Sequence, residues 1–157
     1  MRTDPALFFE DYLFEVSIRD GQPLRLRIRL AETGGGGPPG HGDPLPFNLR
    51  QLLEGVFGGE IAYCGPLPPG LSDFAASVLE ETRRIPFGET LTYGELAKRI
   101  GRPRAARAVG GALGRNPLPF LIPCHRVVGQ GGALTGYTEG VEIKSALLAW
   151  EKTLIAP

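Results

Sequence analysis

Thr92-Tyr-Gly-Glu-Leu-Ala-Lys-Arg-Ile-Gly101-Arg-Pro-Arg-Ala-Ala-Arg-Ala-Val-Gly-Gly-Ala-Leu113 reads as two short helices around a tight break. Thr92-x-x-Glu95 is a capping-box pattern, in which each side chain satisfies a backbone N–H left over at the helix start. Tyr93, Leu96, Ala97 and Ile100 share one helical stripe. Gly101-Arg102-Pro103 ends that helix. The next one is expected to bury Ala105, Ala108, Val109, Ala112 and Leu113. Two short helices around a Gly-containing turn make a helix-turn-helix pattern. The outward face of the second carries Arg104, Arg107 and Gly111 at helical spacing, with Arg115 just beyond. Ala105, Ala106, Ala108, Gly110, Gly111 and Ala112 make this helix unusually slim. It is built either to pack closely on its neighbour or to enter a narrow groove with arginine as its only long reach. Glycine inside a helix costs roughly 1 kcal/mol against alanine, so Gly110-Gly111 wants such a reason.

Charge points the same way. The 157 residues sum to no net charge, yet between Glu95 and Glu139 there is no acidic residue. That stretch holds Lys98, Arg99, Arg102, Arg104, Arg107, Arg115 and Arg126. A basic block in a neutral chain is the footprint of a phosphate-binding face, or a solvated surface balanced by the other half.

Before this core, a strand over residues 12–18 and the turn pair Asp20-Gly21 lead into Leu24-Arg-Leu-Arg-Ile-Arg-Leu30. That strict alternation predicts a half-buried strand with its arginines on a solvated face. Residues 33–46 are a Gly/Pro-rich loop. A helix follows with Leu49, Leu52, Leu53, Val56 and Phe57 on one stripe. Gly65-Pro-Leu-Pro-Pro-Gly70 continues neither a helix nor a central strand and is taken as a linker. The expected division is residues 1–65, a small sheet-plus-helix domain; 66–70, the linker; and 71–157, a mainly helical domain. The fold class is α+β. Ser72 and Asp73 are placed to cap a helix burying Phe74, Ala75, Val78 and Leu79. A last helix carries Ile143, Ala146, Leu147 and Trp150 on one stripe. No apolar run approaches the roughly 20 residues of a membrane helix, and the start lacks a signal-peptide core. The expectation is a cytoplasmic protein with free thiols and no membrane partner.

Pro123-Cys124-His125-Arg126 carries the chemistry. Cysteine is scarce: only Cys64 and Cys124 occur, and the only histidines are His41 and His125. Cys64 reads as a small core residue. Zinc needs about four ligands, usually in paired spacings, and no such pair exists, so no metal is expected. A cysteine hydrolase needs a distant histidine and a third residue to orient it. On a strand Cys124 and His125 would face opposite ways, so a direct ion pair needs a turn or an intervening water.

With those residues quoted, a resemblance can be stated. Asn116-Pro-Leu-Pro-Phe-Leu-Ile-Pro-Cys124-His-Arg-Val-Val128 resembles the active-site motif of the O6-alkylguanine-DNA alkyltransferases. The resemblance extends through Ile85-Pro-Phe-Gly-Glu-Thr-Leu-Thr-Tyr93, Arg104-Ala-Ala-Arg107-Ala-Val-Gly-Gly-Ala112 and Gly136-Tyr137 to Lys144 and Glu151. It covers residues 71–151, while residues 1–65 match in style only.

The resemblance implies an RNase H-like first domain and a winged helix-turn-helix second domain. It implies single-turnover transfer of an alkyl group to Cys124 from O6-alkylguanine, or O4-alkylthymine, in double-stranded DNA. The protein would act as a monomer without cofactor. DNA would be bound through the minor groove by Arg104, Ala106, Arg107, Gly110, Gly111 and Arg115, with Arg107 filling the gap left by the flipped base. Tyr93 would help turn the base out and donate toward guanine N3. His125 would deprotonate the thiol through a water and Glu151 would orient that imidazole. Asn116 would tie the recognition helix to the active-site segment. Pro119, Val127, Tyr137 and Thr138 would line the pocket. Glu139 departs from the family pattern, where glycine or a basic residue is commoner. A carboxylate there is expected to repel phosphates or narrow access for bulky groups. Two rival classes are a lesion-binding module without transfer and a cysteine-sensing helix-turn-helix regulator.

Overall fold

The alternation in Leu24–Leu30 gives one strand two faces, and that strand joins the two halves of the molecule. The computed structural model describes residues 6–9, 12–30, 47–59 and 62–155. His41, with the rest of the loop expected over residues 33–46, lies outside the described residues. Strands β1 (Ala6–Phe9), β2 (Tyr12–Arg19) and β3 (Gln22–Leu30) form an antiparallel sheet in that order. Asp20 and Gly21 both have positive φ (51° and 74°). That is the two-residue hairpin turn whose twist matches the flanking strands. Leu26 and Ile28 are buried and Arg25 and Arg27 exposed, as alternation requires. Strand β1 escapes sequence reading because four residues without alternation carry no period.

The outer edge of β3 is not left bare. Leu26 N–H donates to the Pro117 carbonyl at 2.8 Å, and Ile28 N–H donates to Glu139 Oε2 at 3.3 Å. One apolar cluster runs from Val16 through Leu53, Leu79, Leu96 and Ile122 to Leu147. Helix α1 (Phe47–Phe57) contributes Leu53 and Val56 to it. The side chains of Leu49 and Phe57 lie outside the described residues. In the segment that follows, Tyr63 is buried and its hydroxyl donates to the Pro66 carbonyl at 2.9 Å. Cys64 is exposed, not a core residue. Tyr63 takes the inward position of this extended segment, which turns its neighbour outward.

Helix α2 (Asp73–Thr82) is capped by Ser72, whose Oγ accepts from Ala75 N–H, and it buries Val78 and Leu79. Strand β4 (Leu91–Thr92) runs into helix α3 (Tyr93–Arg99). The capping box forms in both directions: Thr92 Oγ1 accepts from Glu95 N–H at 3.2 Å, and Glu95 Oε2 accepts from Thr92 N–H at 2.7 Å. Gly101, at φ 71°, makes the break. Helix α4 (Ala106–Leu113) buries Val109, Ala112 and Leu113. Ala108 is exposed and Ala105 half-buried, against expectation. Ala105 is the cap of α4 rather than its first turn, and Ala108 lies off the 109–112–113 stripe.

The chain then forms a one-turn 3-10 helix at Cys124–Arg126 and strand β5 (Val127–Val128). Strand β5 pairs in parallel with β4, Leu91 opposite Val127 and Thr92 opposite Val128. Helix α5 (Val141–Ile155) closes the fold. Its buried face holds Ile143 and Leu147, but also Lys144 and Glu151. No helix among the described residues is long and apolar enough to cross a membrane.

Candidate active site

Pairing of β4 with β5 sets Tyr93, the first residue of α3, close to the segment that carries Cys124. That segment is not a strand at the cysteine. Pro123 offers its carbonyl to Arg126 N–H at 2.9 Å, closing a 3-10 turn. The turn replaces strand geometry and sends Cys124 to one side and His125 and Arg126 to another. Just upstream, Phe120 sits at φ 76° and is buried. A left-handed backbone costs a non-glycine residue roughly 1–2 kcal/mol. Here it lays the phenyl ring along His125, centroids 6.2 Å apart and planes 14° from parallel.

Cys124 is 6 % exposed. Its sulfur accepts from Asn116 Nδ2 at 3.1 Å. The same Nδ2 donates to the Ile122 carbonyl at 2.9 Å, and Asn116 Oδ1 accepts from Leu118 N–H at 3.0 Å. One amide thus ties the chain just past α4 to the cysteine segment. Burial pushes the Cys124 thiol up to about 11, against the opposing effects of the Asn116 bond and the Lys144 charge. Glu139 acts in the same direction as burial. At neutral pH this sulfur is a thiol, and a base must take its proton before it can attack.

The next residue, His125, carries the imidazole of the site. It is fully buried, with Nε2 2.7 Å from Glu151 Oε1. Burial lowers its pKa below the ordinary 6.5, against the pull of the Glu151 bond and charge. Burial alone would raise Glu151, but hydrogen bonds from His125 and Arg126 outweigh it and hold the carboxyl at about 2. An ionised carboxylate only accepts, so Nε2 carries the imidazole proton. Nδ1 is then the lone-pair nitrogen. It is buried and bonds to no protein group among the described residues.

Glu151 also accepts from Gly88 N–H at 2.9 Å and from Arg126, by Nε at 2.9 Å and Nη2 at 2.8 Å to Oε1. Arg126 further donates to the Ile85 carbonyl at 2.8 Å and lies 5.2 Å from the Phe87 ring centre. Arg126 therefore leaves the basic surface block that its sequence position suggested. A 3-10 turn aims it at the same carboxylate as His125.

Two residues beside the sulfur complete the site. The Tyr137 hydroxyl is buried and interacts with Cys124; burial, then Cys124 and Glu139, raise its pKa well above the usual value. Lys144 is fully buried and donates to the carbonyls of Val127 at 2.6 Å and Thr135 at 3.1 Å. Tyr93, half-buried, donates to the same Thr135 carbonyl at 2.9 Å, with Lys144 Nζ 5.7 Å from its ring centre. Motif position alone gave Lys144 no role. A lysine beside Ile143 on a helix's apolar stripe was the available signal.

The remaining residues separate by exposure. Arg104, Arg107, Arg115 and Gly111 are exposed, and Ala106 and Gly110 half-buried. A Cβ on Gly110 would meet the Tyr93 ring at 3.7 Å; one on Gly111 would meet only the tip of Arg115 at 3.9 Å. Pro119 and Val127 are buried. Thr138 is exposed and donates to the Gly114 carbonyl at 2.8 Å. Glu139 is half-buried, held by Ile28 N–H. Among the described residues no group of three or more His, Cys, Asp or Glu is placed to hold a metal ion.

Comparison with known proteins places the chain among relatives of one kind. Residues 73–153 match the family model described as 6-O-methylguanine DNA methyltransferase, DNA binding domain. A methylated-DNA–protein-cysteine methyltransferase of Methanosarcina acetivorans is 50 % identical over 102 residues, 64 % of this chain and 65 % of the relative. The match thus spans just under two thirds of that relative's length. A protein of the same name from Mycobacterium bovis is 52 % identical over 113 residues, 71 % of this chain and 68 % of the relative. Among solved structures, the Mycobacterium tuberculosis O6-methylguanine methyltransferase aligns with 98 % of this chain and 93 % of its own, at 36 % identity and a TM-score of 0.76. The M. tuberculosis OGT in complex with DNA aligns with 96 % and 93 %, at 34 % identity and 0.74.

Proposed function

The chain belongs to the O6-methylguanine DNA methyltransferase family, and we propose that it repairs DNA by moving an alkyl group from O6-alkylguanine to Cys124. The observation that carries this reading is a buried cysteine held by Asn116 and followed directly by a buried histidine whose Nε2 is bonded to Glu151 and whose Nδ1 bonds to no protein group among the described residues. His125 Nδ1 takes the Cys124 proton through one water. Glu151 steadies the imidazolium from the other side. The Cys124 sulfur then forms a bond to the alkyl carbon as the carbon–O6 bond breaks. Guanine leaves with the electron pair and gains one proton, balancing the one the thiol lost. Tyr93 donates toward N3, its hydroxyl leaving the Thr135 carbonyl when the base arrives, and it recovers a proton from the imidazolium through water. O4-alkylthymine presents an equivalent alkyl carbon.

A thioether does not hydrolyse under ordinary conditions. The sole other cysteine, Cys64, is exposed in the segment before α2, so the product is permanent and the protein acts once. No cofactor enters this scheme.

In this reading α3 and α4 form a winged helix-turn-helix, and residues 1–65, 66–70 and 71–157 are an RNase H-like scaffold, a linker and the working domain. The slim, arginine-edged face of α4 enters the minor groove of double-stranded DNA. Arg107 fills the space of the flipped base, and Arg104 and Arg115 meet phosphates. Flipping costs a few kcal/mol, least for a damaged base. Pro119, Val127, Tyr137 and Thr138 surround the alkyl group. The protein works as a monomer inside the cell. The M. tuberculosis relative in complex with DNA supports the choice of partner.

Mass spectrometry after incubation with duplex containing O6-methylguanine tests the proposal. The expected result is one added methyl on the Cys124 peptide, stoichiometric with protein. Tight lesion binding with no added mass would replace it with a binding module, and preference for particular undamaged sequences with a regulator.

A further inference from the structure

The β3 arginine stripe is not part of the proposed α4 surface, yet the fold brings the two together. A cleft of about 440 Å³ lies between β3 and the end of α4, lined by Arg25, Arg27, Arg115, Asn116, Thr138 and Glu139. Its three guanidinium groups come from two different halves of the chain. All three arginines are exposed. Among the described residues none of them forms an ion pair. The carboxylate of the cleft is spoken for: Glu139 accepts from Ile28 N–H and acts electrostatically on Cys124. Glu15, opposite Arg27 in the sheet register, shares the arginine face but does not line the cleft.

Alternation already explains why these arginines point outward. It does not explain their place. Leu26 N–H bonds Pro117, and this holds its neighbours Arg25 and Arg27 beside the chain that leaves α4. Asn116, in the wall of the cleft, holds the Cys124 sulfur. The basic surface of α4 therefore continues past Arg115 onto the first half of the chain, beside the nucleophile.

We infer that Arg25 and Arg27 form a second contact with the DNA backbone, so that the first half of the chain grips the same duplex as α4. This rests on the proposed repair function. The occupant is a phosphodiester backbone because Arg115 belongs both to the cleft and to the α4 surface given to DNA, and because three exposed guanidinium groups dominate the cleft's lining. The two arginines position the duplex and take no part in the chemistry.

The test is equilibrium binding of an undamaged duplex by the full chain as salt rises from about 50 to 200 mM, where each lost phosphate contact lowers the slope of log K against log salt by about 0.9. Arg25→Gln with Arg27→Gln is expected to lower the slope by about 1.8, so that this salt rise weakens the native chain roughly twelvefold more than the variant. Arg25→Lys with Arg27→Lys keeps the charges and is expected to keep the native slope. Melting curves of both variants check the fold. A native slope in the glutamine variant overturns the inference, and so does an equal fall in the lysine variant, which would mean a role in shape. If Cys124 still gains its methyl from DNA in the native protein, either result leaves the repair proposal standing. A native chain that neither binds duplex nor gains a methyl removes both.

Discussion

At the scale of single residues the site is organised around one carboxylate. Glu151 accepts from His125, Arg126 and Gly88, and each bond has a different consequence. The His125 bond fixes the tautomer and leaves the lone pair on Nδ1, the atom proposed to take the thiol's proton. The Arg126 bonds keep the carboxylate ionised in a buried place, and Arg126 itself disfavours the charged imidazole. The resting pair is thus neutral imidazole and thiol, not a standing thiolate. Removing His125 by His125→Ala leaves Arg126 paired and is expected to slow transfer about 10²–10⁴-fold, the usual worth of a general base. Glu151→Gln is expected to do more. It leaves Arg126 charged and uncompensated in the interior, which costs about 3–5 kcal/mol of stability, besides slowing transfer. The acid limb of stability gives a third readout. The carboxyl is held near 2 in the fold against an ordinary 4.5. Its contribution is complete above the ordinary value and is lost as pH falls toward 2, because the unfolded chain takes up the proton first. Single-turnover rates and urea melts between pH 6 and pH 2 measure all three. Equal acid sensitivity of native and Glu151→Gln proteins would show that the carboxylate does not anchor the site. The Glu151–His125 link was legible through resemblance to a family. The Arg126 link was not, because a run of basic residues gives no sign that one of them turns inward.

At the scale of elements, local chemistry was legible wherever a periodic or capping signal existed. The capping box at Thr92–Glu95, the alternation in β3 and the Ser72 cap all form as their residues dictate. Sequence reading misplaces Cys64 and leaves the turn at Cys124 undecided for one physical reason. Both lie in short irregular segments whose side-chain directions are set by tertiary packing, around Tyr63 in one case and the Pro123–Arg126 bond in the other. Helix α4 shows how one pattern can serve two ends. Gly110 faces the Tyr93 ring, and an added Cβ would stand at ordinary contact distance. Gly111 faces outward beneath Arg115. Alanine at either position relieves a helix-propensity cost of up to about 1 kcal/mol. Both Gly110→Ala and Gly111→Ala are therefore expected to raise the melting temperature by a few degrees. Only Gly111→Ala, on the exposed face, is expected to weaken duplex binding. Melting curves and duplex affinity of the two variants check this. Undiminished affinity in Gly111→Ala would assign the slimness of α4 to packing alone.

At the scale of the whole molecule, two halves that look separate in sequence share one core. The edge of β3 is bonded to Pro117 and Glu139, on either side of the cysteine segment. Alternation reveals a strand's faces but not what its edge will meet, so this junction had no sequence signal. Its consequence is mechanical: anything that disturbs the packing at Cys124 is felt along β3. The proposed reaction would supply such a disturbance. Cys124 is 6 % exposed, with Asn116 Nδ2 and the Tyr137 hydroxyl against its sulfur. A transferred methyl adds volume to a filled site and removes the thiol proton. Overpacking of this kind typically costs about 1–3 kcal/mol. For a chain of this length each kcal/mol lowers the melting temperature by about 2–4 °C. The methylated protein is therefore expected to melt roughly 2–12 °C below the free protein. Hydrogen exchange should then accelerate first at the Leu26 and Ile28 amides, whose bonds reach the disturbed segment. An unchanged melting temperature would mean that the alkyl group leaves the packed site by movement of the Tyr137–Glu139 loop. Faster exchange at residues 137–139, with β3 still protected, would separate that outcome from simple tolerance.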